Sequence, residues 1–150
     1  MTKGRMMGLD FGTKTIGVAL SDPFGWTAQG LEVIRRKEEA NLKASVTRLL
    51  EIIGHYGVTG IILGYPKNMN NTEGPKCQAV KSFQKRLERD MPGIPVTLWD
   101  ERLSTVAAER SLLEADLSRQ KRGQVIDKMA AVYILQGYLD ATAKNNTEEL

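Results

Sequence analysis

The sequence predicts an α/β fold: a five-stranded mixed sheet, three antiparallel strands and then two parallel ones, with helices on both faces. Three observations carry this. The chain opens with three short apolar runs separated by turn residues. From Glu38 the apolar spacing becomes helical and thereafter alternates between strand-like and helix-like segments. The run "VTGIILGYP" is apolar without interruption, as expected of a strand covered on both faces.

The elements follow in order. "RMMGLD" (5–10) and "TIGVAL" (15–20), split by "FGTK", read as two strands joined by a tight glycine turn, and "GLEVIRR" alternates like a half-exposed third strand. Leu42, Val46, Leu49, Leu50 and Ile53 form one helical stripe, expected to close at Gly54 and Gly57. After the buried strand ending at Pro66, "KNMNNTEGP" has turn composition and leads into a helix with Pro75 in its first turn and Val80, Phe83 and Leu87 inside. "MPGIPVTLWD" supplies the last strand. Ser104 is the expected N-cap of a third helix carrying Val106, Leu113 and Leu117, "SRQKRGQ" is expected to interrupt, and a final helix is expected from about Val125 to Ala143, before a fraying tail from about residue 144. No repeat or linker divides the chain, so one domain over residues 1–150 is expected.

Composition narrows the chemistry. The 21 Lys and Arg against 18 Asp and Glu give a net charge of +3, compatible with a polyanionic partner without requiring one. A single cysteine, Cys77, excludes an intramolecular disulfide framework and reads as a small apolar residue on a helix. The single histidine, His55, is too little for a histidine metal site or a Ser-His-Asp triad, and it reads as surface. There is no 18-residue apolar run, so no membrane span is expected and the cytoplasm is the expected location.

The opening stretch "GLDFGTKTIGVALSD" sets Asp10 between Leu9 and Phe11. An aspartate in a buried strand costs several kcal/mol unless it is paired, hydrogen-bonded or bound to a cation. In α/β sheets, sites form beyond the carboxyl ends of the parallel strands. Asp10 closes the first strand there, and Asp100 with Glu101 closes the last. Asp127 precedes Ala130, Ala131, Ile134, Leu135 and Tyr138 by 3, 4, 7, 8 and 11 residues, which puts it at the leading edge of the apolar face of the final helix. Each acid has an ordinary alternative: an Asx turn for Asp10, a surface pair with Arg102 for Asp100 or Glu101, and a helix-dipole position for Asp127. Three independent acids directed to one edge favour a joint role. Oxygen ligands without His or Cys suit Mg²⁺ or Mn²⁺, and two such ions about 4 Å apart can support phosphodiester hydrolysis.

"GLDFGTKTIGVALSD", "GYPKNMNNTEGP", "LWDERLSTVAAE" and "VIDKMAAVYILQGYL" together resemble the YqgF family, also called RuvX-like, from about Arg5 to Leu139. Its members carry the names Holliday junction resolvase and pre-16S ribosomal RNA nuclease. The resemblance implies the ribonuclease H-like fold and a metal-dependent nuclease using Mg²⁺ or Mn²⁺, with Asp10, Glu101 and Asp127 at the acidic-site positions. It favours processing of the 5′ end of precursor 16S rRNA; cleavage of four-way DNA by a dimer and a non-catalytic nucleic-acid-binding module are the alternatives. Ribonuclease H-like resolvases usually carry an acid at the end of the fourth strand, where this chain has "GYP". The second acid must then come from "DER", where strand alternation admits only one of Asp100 and Glu101; Glu101 is favoured and Asp100 is its substitute.

Arg119, Lys121, Arg122 and Lys128 surround Asp127, as neutralisation of phosphates beside an acidic site requires. Lys14, Lys67, Asn68, Asn70 and Arg102 are further candidate contacts to nucleic acid. The Asp-x-Gly-Thr opening also resembles the first phosphate loop of the actin, Hsp70 and sugar-kinase ATPases, but 150 residues leave no room for their second domain.

Overall fold

The computed structural model describes residues 4–38, 41–66, 73–101 and 119–148, with side chains of the last segment described over 128–143. Five strands and three helices follow the chain: β1 (Arg5–Phe11), β2 (Thr15–Ser21), β3 (Ala28–Arg35), α1 (Lys43–Tyr56), β4 (Val58–Tyr65), α2 (Pro75–Asp90), β5 (Val96–Asp100) and α3 (Arg119–Glu148). They form one sheet in the order β3-β2-β1-β4-β5. β1, β2 and β3 pair antiparallel, and β1 with β4 and β4 with β5 pair parallel, as the sequence predicts. The helix expected from Ser104 to Leu117 lies outside the described residues.

Two helix boundaries differ from expectation. Gly54 lies inside α1; the helix ends at Gly57, whose φ of 69° is left-handed and whose N–H donates to the Ile53 carbonyl at 3.0 Å. A lone glycine inside a helix costs about 1 kcal/mol, which the packing of Ile52 and Tyr56 on either side offsets. α3 begins at Arg119, within the "SRQKRGQ" stretch expected to break it, and continues past Ala143 to Glu148. Arg, Gln and Lys are good helix formers, and Gly123 alone does not stop them.

The sheet separates two cores. On one face Met7, Leu9, Ile16, Val18, Ile61 and Leu63 pack against Val46, Leu49 and Ile52 of α1 and Val80, Phe83 and Leu87 of α2. Cys77 is buried here, and His55 is exposed at the end of α1. On the other face Ala19 and Ile62 meet Ala130, Ala131, Ile134, Leu135 and Leu139 of α3. Side chains alternate along a strand, so Met6, Gly8 and Asp10 of β1 belong to the α3 face. That face is built from small residues, which lets the helix approach closely. A Cβ at Gly8 would lie 2.6 Å from Leu135 Cβ and 2.9 Å from the Ala131 carbonyl oxygen. No helix among the described residues is long and apolar enough to cross a membrane.

Two aspartates outside the cores tie stability to pH. The Asp22 carboxylate caps the β2–β3 loop, accepting from the N–H groups of Trp26 at 2.6 Å, Thr27 at 2.8 Å and Phe24 at 3.2 Å. Those bonds, that of Thr27 foremost, hold its carboxyl below the ordinary value of 3.8. Arg89 and then Arg86 do the same for Asp90. A lowered folded-state value means that this stability is present above pH 3.8 and is lost as pH falls below it. Thermal unfolding across pH 2–6 is expected to show this acid-side loss, and the Asp22→Asn, Asp90→Asn double variant should show a shallower one.

Candidate active site at the strand ends

Asp10 is half-buried at the end of β1, opposite Gly17 of β2. Leu9 pairs with Leu63, so Gly64 of β4 stands level with Asp10. Gly64 is on the α3 face, where a Cβ would collide with the Ile134 side chain and lie 3.5 Å from Glu101 Oε1. Glu101 follows β5 directly, and its Oε1 is buried. Asp10 and Glu101 therefore flank Gly64 on one face of the sheet. Asp100 belongs to the other face, because Leu98 packs on the α1–α2 core and Trp99 on the α3 core.

Asp127 sits on α3 one turn before Ala131, which overlies Gly8. It is thus on the sheet-facing side of the helix, toward its N-terminus; its side chain is not among those described. Among the described residues no three His, Cys, Asp or Glu side chains cluster. An all-carboxylate donor set, with Glu101 Oε1 buried beside Gly64, fits a hard divalent cation.

β4 offers no acid at this level. Gly64 occupies the α3 face, and the neighbouring Tyr65 is turned into the other core. Its phenol is pushed up to about 12 by burial and then by the Glu73 carboxylate, so it stays neutral near pH 7.

The turn after Asp10 is held by a residue that sequence reasoning missed. Arg36 is buried, and its Nη2 donates to the Gly12 carbonyl at 2.7 Å and to the Thr13 carbonyl. Its guanidinium lies 4.7 Å from the Phe11 ring centre. Its own N–H donates to the Lys14 carbonyl at 2.7 Å, and the Gly12 N–H donates to Thr15 O at 2.8 Å. Arg36 follows buried Ile34 by two residues, so the strand period itself carried the inward signal.

The predicted nucleic-acid contacts fall in several places. Lys14 is exposed in the β1–β2 turn. The stem of Lys128 packs toward Gly30 of β3, two strands from β1. Arg119, Lys121 and Arg122 lie on the first turns of α3, with side chains outside those described. Lys67, Asn68, Asn70 and Arg102 lie outside the described residues.

Residues 4–141 match the RuvX family, described as "Holliday junction resolvase". The chain belongs to this family. A RuvX relative from Moorella thermoacetica, named "Putative pre-16S rRNA nuclease", is 58% identical over 141 residues, covering 94% of this chain and 98% of the relative. Relatives with the same name from Bacillus pumilus and Staphylococcus aureus are 60% and 53% identical, covering 91% and 94% of this chain and 98% and 99% of their own. The chain also shares the fold of RuvC from Thermus thermophilus, solved with a Holliday junction substrate, at a TM-score of 0.57 and 15% identity over 94% of this chain and 96% of that one. The ribonuclease H-like architecture and the family expected from the four motifs are thereby established.

Proposed function

We propose that this chain is a metal-dependent nuclease that hydrolyses phosphodiester bonds at the α3-facing ends of β1 and β5, with the 5′ end of precursor 16S rRNA as substrate. The observation that carries it is the placement of Asp10 and Glu101 on one face of the sheet, either side of Gly64, beneath the helix that bears Asp127. The names of relatives more than half identical favour the rRNA precursor.

In this reading Asp10, Glu101 and Asp127 hold Mg²⁺ or Mn²⁺, in the two-ion form. When bound, the cations supply Lewis-acid activation of the attacking water and stabilise the leaving oxygen. The chain's own residues do the positioning. Gly64, level with Asp10, makes room for the Ile134 side chain, so that the helix bearing Asp127 seats closely over the strand ends. Arg36 is a positioning residue: by holding the Gly12 and Thr13 carbonyls it fixes the backbone that follows Asp10.

The protein incubated with Mn²⁺ and labelled precursor rRNA, single-stranded RNA and four-way DNA should cut the precursor preferentially. Glu101→Gln should lower the rate by about 10²-fold or more, the loss typical of one preorganised electrostatic group, while Asp100→Asn stays within a few-fold of the parent. The reverse ranking would assign the ligand to Asp100. The family description favours a second reading, four-way DNA cleavage, which needs two sites related by a dimer axis. Preferential junction cutting together with a sedimenting dimer would select it.

A further inference from the structure

We infer that the cleft between the β1–β2 turn and α2, on the sheet face opposite Asp10, is a phosphate-tracking channel for the single-stranded flank of the nucleic acid cut at the acidic site. This rests on the nuclease reading and adds to it a path for the substrate. The cleft has a volume of about 630 Å³, and among the described residues its lining includes Arg36, Lys76, Lys85, Arg86 and Arg89 but no acidic residue. Asp90 pairs with Arg86 at 2.7 Å and with Arg89 at 3.0 Å without entering the lining. Glu88 borders a different hollow with Met91 and Pro92. Glu88 thus faces away from the cleft, and Asp90 is engaged at its end by Arg86 and Arg89, while Lys76 and Lys85 line the rest of its length.

The arrangement selects a strand over a small anion. Lys76 and Arg89 are 13 residues apart on one helix, roughly 20 Å at about 1.5 Å per residue. Between them Ala79 and Ser82 leave the wall shallow. Cations strung along such a length meet several phosphates in succession, whereas a mononucleotide needs them converging on one point. Bases gain no stacking platform here. Phe11 stacks on Phe83 with ring centres 4.2 Å apart, and Arg36 lies against the Phe11 ring. Recognition is therefore of the backbone and indifferent to sequence. The channel begins at Gly12 and Thr13, directly after the strand that ends with Asp10 and Phe11, so one strand passing the end of β1 reaches both.

The test uses the full chain carrying Asp10→Asn, so that binding is read without cleavage, and a fluorescent single-stranded RNA of about 12 nucleotides, a length within typical single-strand site sizes. Each phosphate contact contributes about 0.7 to the slope of log affinity against log salt. Adding Lys76→Ser, Lys85→Ser and Arg89→Ser should lower that slope by about 2 and weaken binding at least about tenfold at physiological salt. An unchanged slope would overturn the channel. So would displacement of the RNA by AMP at equal phosphate concentration, which would make the cleft a mononucleotide site. Amide shifts of the Asp10→Asn protein with the same RNA give a readout that does not depend on the triple variant folding: changes at Gly12, Thr13 and along 76–89 support the channel, and changes confined to the α3 face contradict it. If the parent cuts no substrate while the slope still falls, the channel stands and the nuclease reading fails. If the parent cuts and the slope is unchanged, only the channel fails.

Discussion

Asp10→Asn is expected to lower phosphodiester cleavage by at least about 10²–10³-fold while leaving RNA affinity close to that of the parent. The substitution keeps the volume and the position at the end of β1 but removes the negative charge that would hold a divalent cation. Affinity for nucleic acid comes mainly from Lys and Arg contacts to phosphates, none of which Asp10 supplies. Rates under single-turnover conditions, beside anisotropy with the uncut substrate, separate the two quantities. Equal loss of binding and cutting would mean that Asp10 acts through the fold of the turn instead. That outcome is physically distinct, because the turn carries its own fastenings: the Gly12 N–H to Thr15 O bond and the donation from Arg36 to the Gly12 and Thr13 carbonyls.

Gly8→Ala carries the second large expectation. The added methyl would meet Leu135 Cβ at 2.6 Å and the Ala131 carbonyl oxygen at 2.9 Å, and neither atom can rotate away as the end of a flexible side chain could. Overpacking costs about 1–3 kcal/mol, and two rigid neighbours place this case at the upper end. For a domain of this size that is a fall of roughly 6–12 °C in Tm. The effect should reach function as well. α3 would have to lift from β1, carrying Asp127 away from the edge where Asp10 and Glu101 lie, so cleavage is expected to fall well below the parent's at temperatures where the variant is fully folded. A folded variant with unchanged Tm and parental activity would show that the contact of α3 with Gly8 is not what sets the height of the helix.

The strands were legible because their signals are local. Alternation in "GLEVIRR" and the unbroken "VTGIILGY" run each follow from which faces of a strand are covered, and β3 and β4 were placed within two residues of their observed bounds. Helix ends were less so. Positions 54 and 57 carry the same residue type, and the packing of Ile52 and Tyr56 against the core explains why the first is spanned and the second caps. "SRQKRGQ" looks like a break because it has no apolar stripe, yet good helix formers extend α3 through it.

The acids were legible as candidates for the same local reason. The preference for Glu101 over Asp100 follows from alternation once the strand is known to carry Trp99 toward α3. Arg36 was not found, because its partners are carbonyls 23 and 24 residues away that come beside it only when β2 and β3 have paired. The cationic cleft was hidden for a similar reason: Lys76, Lys85 and Arg89 are ordinary surface residues until α2 is laid against the β1–β2 turn.

Diffraction from crystals grown with Mn²⁺, at a wavelength where manganese scatters anomalously, tests the joint role of the acids most directly. An anomalous peak coordinated by carboxylate oxygens of Asp10 and Glu101, with Asp127 as a further ligand, is the predicted result. Manganese bound through Asp100 on the opposite face, or Asp10 and Glu101 making no metal contact in a crystal that holds the ion elsewhere, would contradict it.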